Sequence, residues 1–422
     1  MSMRSLKSFI QHNLLVLTIL LYAQINLAQN QCLQLFTHPK SIAVSLNAVE
    51  QLLLWEQTSN QARWAKPTQS VQLDYVNINA NDIFIRSESY TPENILSYFK
   101  SESAVRWIKH PLNTSQEVPY LSQNPEGQKT AFYSASRSMF TKITGALFSF
   151  KLPTNHPHPK SIAQPEKADL NNDSIISMRR SKHIREYDEV FERDSSLYVL
   201  TEVISVASKM GNAFSVRDLR PLQDGNYYLP AFSIPYAGRE IAKINNADFN
   251  NFWQIHFGSA LGRAKAQLLI RYGLQMKTPN AQNWLVQLDK YLKPTGRIFM
   301  RDVADSNYVE FIARHNGSEK QLNEDKKSGY STSDNLIPNW ENSAWQMDEG
   351  GISRQVLSNW GSEHNQAYIK TIREAFNITT ELYSVVMLAH YLKNNPEASV
   401  LIKKYRDNKI SESKGMQFKE VI

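Results

Sequence analysis

Cysteine is almost absent: Cys32 is the only one in 422 residues. No intrachain disulfide can form, so stability has to come from a buried core, which a chain of this length can build. There is no Cys/His cluster with zinc spacing, no G-x-x-x-x-G-K-[ST] loop and no G-x-G-x-x-G loop. The usual P-loop and dinucleotide signatures are therefore excluded. Ser136 and Ser138 lack the His and Asp pattern of a nucleophilic triad. No internal repeat or long low-complexity tract is present. Charge of one sign is also scarce: 47 Lys and Arg against 40 Asp and Glu leave a formal +7. So small an excess on so long a chain does not indicate nucleic-acid binding; it suits an anionic small molecule or an acidic partner.

The N-terminus has one short apolar run, Leu14 to Tyr22, interrupted only by Thr18. Arg4 and Lys7 precede it, and Ala23 and Ala28 offer small residues for cleavage. The run is about half the roughly 20 residues of a spanning helix. This predicts a cleaved signal segment, export to the periplasm or medium, and no stable membrane span afterwards. With 41% hydrophobic and 21% charged residues the remainder is globular. The pattern divides it into an N-terminal α+β region (29–130), a core of nucleotide-binding character (131–315) and a loop-rich, then helical region (316–422), after the signal (1–28).

Several segments carry a readable period. Ser45 to Trp55 has helical spacing, and Val71–Val76 and Asp82–Ile85 alternate like strands. Ala146–Leu152 alternates too, with Lys151 near its end. Asp173 to His183 is helical, with Arg179 and Arg180. Phe214–Arg220 and Tyr227–Phe232 flank Gln223-Asp224-Gly225, which predicts a hairpin. Residues 316–352 read as loop, and 362–405 as helix. Strands come first and helices last, so the expected fold class is α+β with a mixed or antiparallel sheet and a helical C-terminal region.

The chemistry concentrates in residues 252–305. An apolar helix, Phe252 to Tyr272, leads into Thr278-Pro279-Asn280-Ala281-Gln282-Asn283 and then the strand Trp284–Leu288. A turn at Pro294-Thr295-Gly296 returns the chain as Arg297–Met300, which ends on Arg301-Asp302 with Asp305 close behind. A loop Asn before one strand and an Asp at the end of its partner is a layout by which ATP-using folds hold Mg2+. An amide oxygen and a carboxylate are hard donors that share the metal with nucleotide phosphates.

Taken in order, these elements resemble the siderophore synthetases of the aerobactin-synthetase (IucA/IucC) type, over roughly residues 140–310. The resemblance is carried by Lys151-Leu152, Ile175–Ser181, Ser215-Val216-Arg217-Asp218, Leu229-Pro230-Ala231-Phe232, Tyr272-Gly273, Gln282-Asn283 and Arg301-Asp302. It implies a palm-and-fingers core that uses ATP and Mg2+ to activate a carboxylate for condensation with an amine or hydroxyl. In that frame Lys151, Arg179 and Arg217 act on phosphate and substrate. Arg180, Ser181, Asn280, Gln282, Asn283 and Arg301 contact the nucleotide, and Asn283, Asp302 and Asp305 hold the metal. The sequence departs from the family's pattern where Thr278 and Asn280 stand in place of a Glu and a His. The same parts also resemble a kinase-like phosphotransferase, although the position of its catalytic Asp is again filled by Thr278 or Asn280. A third reading is a non-catalytic protein that binds an anion or a partner on this scaffold. Glu202 is expected to pair with Lys151 or to be exposed, and His183 to be exposed on a helix.

Overall fold

The computed structural model describes residues 47–404 apart from 60–69, 89, 112–119, 121–122, 135–137, 144–145, 154–169, 191–195, 210–211, 346, 349 and 401–402. The signal segment and Cys32 lie outside the described residues. The chain opens with α1 (Ala48–Ser59), β1 (Ser70–Asn79), β2 (Ile83–Ser87), α2 (Glu93–Phe99) and β3 (Ala104–Ile108). Then come β4 (Gly127–Tyr133), β5 (Ser138–Ile143), β6 (Ala146–Lys151), α3 (Leu170–Val190), β7 (Leu197–Val199), β8 (Glu202–Ser208) and β9 (Ala213–Asp218). The central part contains β10 (Tyr227–Pro230), α4 (Ala237–Ile244), α5 (Phe249–Trp253), α6 (Ala260–Tyr272), β11 (Leu274–Met276), β12 (Trp284–Leu288), β13 (Pro294–Met300) and β14 (Ser306–Tyr308). Helices α7 (Glu310–Ala313), α8 (Glu319–Lys327), α9 (Trp340–Ser343), α10 (Arg354–Ala375) and α11 (Val385–Asn394) complete it. This is the α+β class expected, with a helical C-terminal region.

An eight-stranded sheet has the order β2-β8-β9-β6-β5-β4-β1-β3, and its pairings are antiparallel. The 130/131 boundary read from the sequence falls inside β4, and strands from both sides of it share this sheet. Because side chains alternate along a strand, each strand separates its residues onto two faces. Phe148 and Phe150 of β6 join Phe214, Val216, Val206 and Ile204 in a core closed by Tyr98 and Phe99 of α2. The opposite face holds Ser149 and Lys151, with Arg217 and Ser215 as their cross-strand partners. Glu202 and Ser205 extend that face across β8. One face builds the core; the other carries the charge.

A second sheet, β10-β12-β13-β7, is buried on both sides. Trp284, Val286 and Leu288 of β12 face the cluster around α6, whereas Leu285 and its partner Phe299 join Phe140, Leu147, Leu200, Val49 and Leu52 between the sheets and α1. Burial on both faces explains why β12 reads as a nearly unbroken apolar run. The expected hairpin between β12 and β13 is present, in the register Trp284↔Met300 and Val286↔Ile298. The one expected around Gln223-Asp224-Gly225 is absent. β9 belongs to the large sheet and β10 to the small one. A 3-10 turn at Arg220–Leu222 carries the chain across, with the Asp218 carboxylate accepting from the Arg220 backbone and guanidinium at 3.0 Å.

Helix α5 continues through a π-helical turn, Gln254–Ser259, into α6, so the apolar helix read from the sequence is present with a widened turn. It ends at Gly273, whose φ of 68° is left-handed, and the Gly273 amide donates to Leu268 and Leu269. Glycines let α10 approach the helix closely. A Cβ at Gly258 would stand 2.9 Å from the Trp360 carbonyl oxygen, and one at Gly262 would collide with that of His364. Residues 316–352 are less loop-like than expected, since α8 lies within them.

Candidate functional site

The end of β6 and the end of β13 meet between the two sheets. Lys151 Nζ donates to Asp302 Oδ2 at 3.0 Å, and their side chains are 28% and 22% exposed. The pair is therefore sheltered yet open to solvent. Asp302 adopts the left-handed conformation, φ 71° and ψ 57°. In a regular strand its side chain would alternate away from that of Arg301; leaving the β region frees it to reach Lys151. Non-glycine residues seldom occupy this region, and Asp tolerates it better than most. Such a backbone outlier is a recurrent mark of a functional site.

The loop before β12 is laced to the turn after β13. Lys277 donates its amide to the Asp305 carbonyl at 2.8 Å, and Arg301 donates its amide to the Asn283 carbonyl at 2.9 Å. Arg301 Nε donates to the Gln282 carbonyl at 2.7 Å. Thr278 Oγ1 donates to the Asp305 carboxylate. Asn283 is buried and Gln282 exposed, while Asn280 stands just before the 3-10 turn Ala281–Asn283 without a side-chain bond to it. Burial pushes the Asp305 carboxyl up to about 6, with the charge of Asp302 adding to the effect and Thr278 and Lys151 opposing it. Two acids thus lie close together, with Lys151 bound to Asp302 and the charges of Lys151 and Lys277 both felt by Asp305.

The other sequence-derived residues divide into two groups. Arg217 shares the polar face with Lys151 and pairs with Glu202, which is buried. Glu202 is therefore neither the partner of Lys151 nor exposed, the two alternatives read from the sequence; Asp302 holds Lys151. Ser181 is fully buried and bonds back to Glu202, accepting from its amide at 3.0 Å. Arg180 needs a correction. It is fully buried, donates to Asp325 Oδ2 at 2.8 Å and to the carbonyls of Ala304 and Ser306, and so offers no guanidinium to a phosphate. Its place is behind the 303–306 turn, which it fixes from α3. Arg179 also turns to Asp325, at 3.2 Å, and is 27% exposed. His183 is buried, not exposed, with Nδ1 2.9 Å from the Tyr308 hydroxyl.

Two acids were not singled out from the sequence. Glu56 of α1 is buried and pairs with Arg301; burial raises its carboxyl while Arg301 opposes the rise. Asp325 of α8 is buried against Arg179 and Arg180. Both were open to detection. Val49, Leu52, Glu56 and Ser59 follow the buried stripe of α1, and Ser318, Leu322 and Asp325 that of α8. A carboxylate on an apolar stripe requires a cation.

Among the described residues no group of three or more His, Cys, Asp or Glu is arranged to hold a metal, and no helix is long and apolar enough to cross a membrane. Asp302 and Asp305 are two hard oxygen donors on one turn, which suits Mg2+: that ion commonly takes one or two protein carboxylates and completes its shell with water and phosphate.

The architecture is that of the siderophore synthetases. The chain resembles aerobactin synthetase IucA from a hypervirulent pathotype of Klebsiella pneumoniae (TM-score 0.53, 13% identity), over 72% of this chain and 62% of that one. The ATP-bound form of IucA aligns with TM-score 0.54 and 13% identity, over 77% and 65% respectively. The petrobactin biosynthesis protein AsbB from Bacillus anthracis aligns with TM-score 0.51 and 11% identity, over 79% and 63%. The chain thus spans less than two-thirds of each of these proteins. No family model and no curated protein matches it.

Proposed function

We propose that this protein is an exported, ATP-dependent synthetase-like enzyme that activates a carboxylate for condensation with an amine or a hydroxyl. The observation that carries this reading is the Lys151–Asp302 pair at 3.0 Å, which joins the ends of two strands from different sheets. The ATP-bound neighbour supports it at the level of fold. Asp302 and Asp305 would hold Mg2+, with the buried Asn283 beside them. The raised carboxyl of Asp305 is what an acid short of a cation looks like. Lys151, released from Asp302, would neutralise phosphate as a point charge, and Arg217 shares its face of the sheet. Arg301, tied to Glu56 and to the Gln282 carbonyl, would keep the loop in register. Bound nucleotide supplies the free energy of activation; the residues of this chain orient the anions and screen their charge.

A second reading, a non-catalytic binder of anions on the same scaffold, is favoured by one observation. Thr278 and Asn280 occupy the place of an acid/base pair, and the Thr278 hydroxyl is engaged by Asp305. Titration calorimetry of the mature chain with Mg-ATP, on wild type and Asp302→Ala, tests both. Heat in the wild type that is lost in the variant, with AMP released when carboxylate and amine are supplied, fits the synthetase. Release of ADP would indicate phosphotransfer, and binding without turnover the scaffold. No heat in either chain sinks the nucleotide reading.

A further inference from the structure

Lys265 projects from α6 into the interior and is only 6% exposed. Its ammonium donates to the carbonyls of Pro338 and Asn339 and, at 2.8 Å, to Ser343 Oγ. Ser343, on α9 and fully buried, passes the connection on: its hydroxyl donates to the Pro279 carbonyl at 2.9 Å. The same carbonyl accepts from Trp284 Nε1 at 3.2 Å, and the Trp284 ring lies 5.7 Å from Lys265 Nζ. Asn339 Nδ2 donates to the Lys277 carbonyl at 3.1 Å. One buried ammonium therefore ties α6 and α9 to the segment from Lys277 to Asn283, the loop that meets Asp305 and Arg301.

That arrangement is expensive for packing alone. Among the described residues no carboxylate lies within ion-pair distance of Lys265; Glu341 acts only at longer range, and burial presses the amine well below its ordinary range. The nearby His364 is buried too, with Nε2 lacking a partner, and adds to the polar cost. An apolar side chain of similar length would fill this space at less cost than a desolvated ammonium. What the lysine provides that an apolar chain cannot is three directed donors, one of which orients the hydroxyl holding Pro279.

We propose that Lys265, acting through Ser343, is the positioning residue for the 277–283 loop and thereby for the nucleotide end of the site. Only the last step rests on the proposed nucleotide function. The test uses the full chain, with Ser343→Ala and Lys265→Met, reading hydrogen exchange of peptides covering 277–283, thermal melting, and affinity for Mg-ATP. Ser343→Ala should melt close to wild type while exchange rises in the loop and not in α10. Its Kd for Mg-ATP should weaken about tenfold, the scale of one positional hydrogen bond. Ser343→Thr, which keeps the hydroxyl, should restore both, and adding Lys265→Met to Ser343→Ala should leave the loop signal unchanged. Unaltered exchange in the loop, or a rise spread evenly over α6 and α10, overturns the proposal. A wild type that ignores Mg-ATP removes the nucleotide step alone, because the exchange measurement still decides the positioning role.

Discussion

Replacing Asp305 with Asn should make the metal-free protein more stable near neutral pH. The carboxyl is raised from 3.8 to about 6 in the folded chain, chiefly by burial. The folded state therefore holds the proton more tightly than the unfolded state. Stability from this group is complete below the unfolded value and is lost as pH rises through the folded one. Each tenfold gain in proton affinity corresponds to about 1.4 kcal/mol, so the rise sets a ceiling of about 3 kcal/mol. Asp305 is only partly shielded from solvent, and screening reduces the expectation to about 1–2 kcal/mol. Asn is nearly isosteric, carries no charge, and still accepts from Thr278. Denaturant titrations of both chains from about pH 4 to about pH 8 in EDTA measure the difference. The variant should gain on wild type as pH climbs through about 6 and match it at the acidic end. Added Mg2+ should then reverse the order, since a cation that binds the folded wild type stabilises it by mass action. A variant no more stable than wild type at the alkaline end, or an advantage independent of pH, refutes the reasoning.

Two other substitutions separate structure from chemistry. Arg180→Met should lower stability by about 3 kcal/mol or more, because Asp325 is left buried with only the partly exposed Arg179; Arg179→Met should cost less than about 1 kcal/mol. Denaturant midpoints of the two variants check this ranking, and equal losses would contradict the burial argument. Gly262→Ala gains about 1 kcal/mol of helix propensity, yet its Cβ would run into the backbone carbonyl of His364, which cannot swing aside. Overpacking should win by about 1–3 kcal/mol, seen as a lower melting temperature.

The hydrophobic period made the fold legible where strands and helices are amphipathic. Phe148 and Phe150 against Ser149 and Lys151 is a period of two, and β6 is where it was expected. The 252–272 helix was equally plain from its apolar spacing, although nothing local announced the π-helical turn, which accompanies the close approach of α10 at Gly258. The false hairpin at Gln223-Asp224-Gly225 shows the limit. Turn chemistry specifies a local reversal, but which sheet each arm joins is decided by long-range pairing: β9 with β6 and β8, and β10 with β12. At the site, strand ends were readable because a charged residue closing an apolar run must meet an opposite charge. The identity of the partner was not, because Lys151 could have met either Glu202 or Asp302; in the fold Glu202 is taken by Arg217, and Asp302, in a left-handed backbone conformation, meets Lys151.

That choice shapes how the site must work. Lys151, Arg217, Arg301 and Arg180 each contact a carboxylate of this chain, so the site is close to self-neutralised. A polyanion arriving alone would have to break one of these pairs and leave an acid bare. On the proposed function, a divalent cation arriving with it would take over Asp302 and free Lys151 in the same event. The two bindings would then be linked, each favouring the other by the same free energy. The partly exposed Lys151–Asp302 pair is the one suited to opening, since a partly solvated ion pair is worth only about 1 kcal/mol, whereas the buried Arg180–Asp325 pair behind the turn would resist it.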